Sequence, residues 1–141
     1  MNLQDATIAE LANYQARLEE RAAELKADIA EYGAELDRRF GATAKTALAR
    51  AGKRAEDIDL FEINEGFAAM ALHFMQDMQV GHDRMNVNGG AIAIGHAMGC
   101  TGAALVSVLL DELERRDARF GCISICGAAG VASAMVIERL R

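Results

Sequence analysis

Through the first forty residues, apolar positions recur at alternating spacings of three and four: Ile8, Leu11, Leu18, Ala22, Leu25, Ile29, Tyr32 and Leu36, with Gln15 in the one polar slot. Glu, Arg and Lys fill the flanks. That is the a/d seam of a heptad pattern, and it predicts one long amphipathic helix over residues 6–39, or two if Gly33 breaks it. Asp5 or Thr7 suits the N-cap and Gly41 the stop. Gln15 and Ala22 thin the seam, so it is expected to pack on the chain's own domain rather than to form a long free coiled coil.

Beyond Gly41 the period alternates between helix and strand. A short helix is expected over 43–51, closed by Gly52, then a compact apolar strand over 58–63. A helix over 64–78 would bury Phe67, Met70, Ala71, Phe74 and Met78. A glycine-rich turn covers 88–102 and leads into a helix ending near Arg116. Two strands follow, 121–126 and 132–138, joined by Gly127-Ala128-Ala129-Gly130. Strands alternating with helices predict an α/β fold, a mostly parallel sheet with helices on its faces. The last two strands are separated only by a short turn and are expected to be antiparallel. The pattern divides the chain into a helical segment, 1–40, and an α/β domain, 41–141.

Composition narrows the function classes. Of 141 residues, 52% are hydrophobic and 26% charged, with a net charge of −6 and no dense basic tract, which argues against nucleic-acid or anionic-membrane surfaces. No apolar run reaches the ~18 residues of a membrane span. Three cysteines, an odd number, do not suggest a disulfide framework. A reducing compartment follows, and cytoplasm is the default expectation. The chain has no proline, where roughly seven would be average. That absence points to an unusual origin, such as an engineered chain.

Candidate chemistry sits where strands end and helices begin. His96 lies between Gly95 and Gly99, just before a helix, where backbone can approach a ligand closely and negative charge is favoured. An imidazole there suits a general base or an oxyanion donor; the alternative is a structural histidine satisfying turn carbonyls. Cys126 ends an apolar strand at a Gly/Ala turn, where its thiol could be reactive or simply buried. Cys122 is on the same face but ~13 Å away, too far for a disulfide or a shared metal. Cys100 reads as helix-start packing. Asn64 follows a strand, and on local features it reads as an N-cap. His73 and His82 have no ligand-like partners, so no metal site is expected. The glycine-rich turn fits neither a Walker-type phosphate loop nor G-x-G-x-x-G.

Taken together, three segments resemble thiolases, the acetyl-CoA acyltransferases and acetyltransferases. Asp57-Ile58-Asp59-Leu60-Phe61-Glu62-Ile63-Asn64-Glu65-Gly66-Phe67-Ala68-Ala69 is similar to that family's strand followed by its Asn-Glu-Ala-Phe motif. Asn86-Val87-Asn88-Gly89-Gly90-Ala91-Ile92-Ala93-Ile94-Gly95-His96 is similar to its glycine-rich segment ending in Gly-His-Pro. Residues 120–139, containing Cys126, are similar to its last two strands. The resemblance covers about residues 42–141 and implies a C-terminal thiolase domain. It implies that His96 activates an acyl-accepting cysteine, that Asn64 positions a water of the oxyanion hole, and that Cys126 moves a proton on and off the acyl-CoA carbon. Gly95 and a backbone amide at Ala128 would line the substrate. Coenzyme A thioester would be substrate, with no resident cofactor.

Ala97 replaces the family's proline, and Ala128 and Ala129 stand where it has glycines. Nothing matches the acyl-accepting cysteine, so activity is expected to need an N-terminal thiolase half as partner. The competing expectation is a non-catalytic, truncated or engineered thiolase-derived module, self-associating through its N-terminal helix.

Overall fold

The computed structural model describes residues 7–127 and 130–140, apart from the side chains of 9, 29, 30, 32 and 34–38. Helix α1 runs from Ile8 to Arg50. Thr7 caps it through a reciprocal box: its backbone N–H donates to Glu10 Oε2 at 2.8 Å, and Glu10 N–H donates to Thr7 Oγ1 at 3.3 Å. The helix does not stop at Gly41, and residues 43–50 continue it rather than forming a second helix. The physical reason is close approach. Gly41 is buried, and a Cβ there would lie 1.8 Å from Asp77 Oδ2. The missing side chain lets that carboxylate reach Lys45 Nζ at 2.5 Å. The true stop is Gly52, at φ +64°, with Lys53 N–H donating to Leu48 O and Gly52 N–H to Ala49 O.

The chain divides between Glu35 and Leu36 into two compact units, whereas the sequence pattern divides it at 40/41. In the first unit the seam residues Ile8, Leu11, Leu18 and Leu25 are exposed.

In the second unit, a short 3-10 turn at Ala55–Asp57 leads into β1, Leu60–Ile63. Helix α2 spans Ala68–Met78, a one-turn helix α3 spans Ala91–Ile94, and α4 spans Thr101–Arg115. Strands β2, Phe120–Cys126, and β3, Ala132–Glu138, complete the set. The sheet order is β1-β2-β3, with β1 parallel to β2 and β2 antiparallel to β3. The α/β class, the mixed sheet and the antiparallel last pair are those expected from the pattern.

Alternation along the strands splits the core into two layers. Phe61, Ile63 and Cys122 face the C-terminal part of α1 and helix α2, where Phe40 and Phe74 stack with ring centroids 5.2 Å apart. Leu60 and Ile123 face α4 through Leu105, Leu109 and Leu113. Helix α2 begins four residues later than the period suggests, and Phe67, expected in the core, is exposed. Among the described residues no helix is long and apolar enough to cross a membrane.

Candidate active site

Strand β1 delivers Asn64 to the end of the sheet. Its backbone N–H donates to Ser124 O at 2.9 Å, continuing the parallel ladder one step past the strand. Asn64 is therefore no N-cap; α2 begins after Phe67, with no side-chain cap. The Asn64 side chain is 1% exposed and turns toward β2, where Nδ2 lies 3.5 Å from both Cys126 O and Cys126 Sγ. Among the described residues, Asn64 Oδ1 is buried with no hydrogen-bond partner, as is Ser124 Oγ. An amide oxygen buried without a partner costs about 1–3 kcal/mol, so it is an acceptor site that folding alone does not explain.

The two cysteines of β2 are not equivalent. Cys122 is fully buried in the core, and burial pushes its thiol up to about 12. Cys126 is half-buried at the strand's open end. Cys100, expected to pack at a helix start, is exposed at the N-cap of α4.

Glu65 fixes the glycine-rich segment against β1. Its Oε1 accepts from Asn86 Nδ2 at 2.7 Å and its Oε2 from Ile92 N–H at 3.0 Å. Asn86 is buried at φ +45°; its Oδ1 accepts from Ile63 N–H at 2.8 Å. Gly90 makes room for this brace, since a Cβ there would lie 2.5 Å from the Glu65 carboxylate. From there α3 leads to Gly95, at φ +92°. His96 is exposed, and its Nδ1 lies 2.9 Å from Thr101 Oγ1. That hydroxyl gives its proton to Ala97 O at 2.9 Å. A neutral imidazole with its proton on Nδ1 would donate to that hydroxyl and keep Nε2 as an acceptor.

Asn64, Gly95 and Thr101 share a cavity of about 220 Å3 at the junction of β1, the glycine-rich segment and α4. His96 and Cys126 are not among its lining residues. Asn64 and Cys126 thus meet directly, whereas His96 lies outside the cavity and contacts only Thr101 of its wall. Ala128 lies outside the described residues. Among the described residues no cluster of three metal-capable side chains occurs.

Two buried acids lie outside the site residues expected from the sequence. Glu62, 2% exposed, lines the same cavity, and burial, then the charges of Glu65 and Glu112, raise its pKa to about 7. Glu112 is also buried, but Arg115 and then Asn88 donate to its carboxylate and hold it down to about 2. A carboxylate inside the apolar run of β1 is the one signal that could mark Glu62 in advance.

Comparison with known proteins identifies the family. Residues 27–139 match the family model of the thiolase C-terminal domain, so the likeness begins inside α1, earlier than the motifs alone suggest. The 3-ketoacyl-CoA thiolase of Serratia proteamaculans is 46% identical over 100 residues, 69% of this chain and 26% of that protein. A cytosolic acetyl-CoA acetyltransferase of Gibberella zeae is 46% identical over 95 residues, 67% of this chain and 24% of that protein. The peroxisomal 3-ketoacyl-CoA thiolase 5 of Arabidopsis thaliana is 50% identical over 91 residues, 63% of this chain and 20% of that protein. The chain matches about a quarter of the length of such relatives. It belongs to the thiolase family, and the part of the family it carries is the C-terminal domain.

Proposed function

We propose that this domain supplies three groups of a thiolase-type acyl transfer, Asn64, His96 and Cys126, to an acyl-accepting cysteine held in another polypeptide segment. The observation that carries the reading is the part-buried contact of Asn64 with Cys126, with the Asn64 amide oxygen unpaired among the described residues.

In thiolysis of a 3-ketoacyl-CoA, His96 Nε2 takes the proton of the accepting thiol, and the thiolate attacks the 3-keto carbon. The bond between C2 and C3 breaks, leaving the acyl group on sulfur and the enolate of acetyl-CoA. Cys126 gives its thiol proton to the enolate carbon, and in condensation takes that proton back. In thiolysis a free CoA thiol then gives its proton to the Cys126 thiolate and attacks the acyl carbonyl, and the released thiolate regains the proton held on His96. A water whose O–H donates to Asn64 Oδ1 keeps its second O–H for the enolate oxygen, a fixed donor where charge develops. Coenzyme A thioester is substrate here, and no resident cofactor is required. An N-terminal thiolase half is the partner this chemistry calls for. A cytoplasmic location belongs to the same proposal and rests on the three free cysteines.

A second reading, a folded module without catalysis, draws on Ala128 and Ala129. If the amide at 128 must adopt φ > 0, alanine there costs about 1 kcal/mol or more. Assay of acetoacetyl-CoA thiolysis with the N-terminal half of a relative added separates the two. Turnover that needs both parts and vanishes in His96→Ala supports acyl transfer; no turnover from a stable complex of the two supports the module.

A further inference from the structure

We propose that residues 11–36 of α1 pair with the same segment of a second copy as an antiparallel two-stranded coiled coil. The first unit presents an apolar stripe to solvent: Ile8 is 88%, Leu11 37%, Leu18 52% and Leu25 45% exposed. A twenty-six-residue helix is about 39 Å long, enough for the three to four heptads such a pair needs.

Charge chooses the direction. With Leu11, Leu18 and Leu25 at d, residues 19 and 26 occupy e positions and 21 and 28 occupy g positions. In a parallel pair each g residue meets the e residue five positions on in the partner. That sets Arg21 against Lys26 of the second copy, two like charges. In an antiparallel pair e meets e and g meets g. With Ala22 layered against Leu25 of the second copy, Glu19 meets Lys26 and Arg21 meets Asp28. Two-fold symmetry repeats both pairs, giving four opposite-charge contacts and none of like sign. Sliding by one heptad sets Glu19 on Glu19 and Arg21 on Arg21, or, the other way, Lys26 on Lys26 and Asp28 on Asp28.

Neither Lys26 nor Asp28 has an opposite charge at helical spacing on its own chain. The residues three and four positions from Lys26 are Ala22, Ala23, Ile29 and Ala30, and Asp28 has Glu24 and Glu31 at those spacings. Substituting Lys26 therefore leaves the helix itself unperturbed.

The full chain, measured by light scattering during size exclusion across a concentration series, is expected to have twice the mass of one chain. Lys26→Glu sets two carboxylates, at positions 19 and 26, against each other and is expected to weaken the dimer about tenfold or more. The double exchange Glu19→Lys/Lys26→Glu restores it. Circular dichroism on each variant, showing unchanged helix, excludes unfolding as the cause. A helical monomer at every concentration would overturn the proposal. So would tighter association of Lys26→Glu, which a parallel pair predicts, or a dimer indifferent to both changes, which places the contact elsewhere.

Discussion

At the scale of single residues, Asn64 and Glu62 stand on the cavity face of β1 and its end, and each burdens the fold in a different way. Asn64 buries an amide oxygen that nothing among the described residues satisfies. Asn64→Ala removes that penalty while opening a small cavity, so its unfolding free energy should stay within ~1 kcal/mol of the parent by urea titration. Acyl transfer in the reconstituted complex should fall roughly 10²–10³-fold, the usual loss of an oxyanion donor. A group that is catalytically costly and structurally dispensable is the signature expected of a site residue. Glu62 gives a pH effect. Its folded pKa, raised to about 7, lies above the unfolded value, so the stability it permits is complete below pH ~4.5 and lost as pH climbs toward 7. A shift of that size corresponds to at most about 3 kcal/mol. Thermal melts from pH 4.5 to 7.5 should show Glu62→Gln gaining stability over the parent as pH rises. A constant difference between the two across that range would remove the assignment.

The cysteines and His96 are legible in the sequence as residues but not as a set. Position at a strand end and a flanking glycine mark Cys126 and His96. Nothing in spacing says that the Asn64 amide turns away from α2 and reaches Cys126, because the register of β1 against β2 decides that. The brace at Glu65 is hidden for the same reason: its partners, Asn86 and Ile92, come from a segment more than twenty residues away.

At the scale of elements, most of the α/β order can be read from period alone, and the errors gather at glycines. Gly41 reads as a stop because glycine favours helix ends, yet it is a close-approach position where α1 crosses Asp77 of α2. Gly33, in the same helix, has nothing within 4 Å of where a Cβ would stand. The two should respond differently. Gly33→Ala should raise stability toward unfolding by about 0.5–1 kcal/mol through helix propensity. Gly41→Ala should gain nothing, since the Asp77 carboxylate must leave Lys45 to make room. Denaturant titration of both variants and of Gly41→Ala/Asp77→Ala checks this, the double variant recovering the propensity gain. Gly90→Ala makes the parallel test on the glycine-rich segment. Pushing Glu65 off Ile92 N–H should speed amide exchange across residues 91–96 while leaving β2 protected.

At the scale of the whole molecule, the α/β unit is a three-stranded sheet with helices on both faces that ends in a polar corner where Asn64 and Cys126 meet. The family and the α/β class are legible because three motifs recur in order along the chain. The exposure of the N-terminal seam is not, because periodicity marks an apolar stripe without naming what covers it. On the proposed function a second part brings the accepting thiol to this corner, where Cys126 would move the proton on the acyl-CoA carbon and His96 would activate the thiol. Exchange of the acetyl-CoA methyl protons with deuterated water, followed by mass spectrometry in the complex with a thiolase N-terminal half, reads the first role apart from the second. The account predicts that Cys126→Ala abolishes exchange while acylation of the nucleophile persists, and that His96→Ala abolishes acylation. Exchange at the parent rate in Cys126→Ala would contradict it.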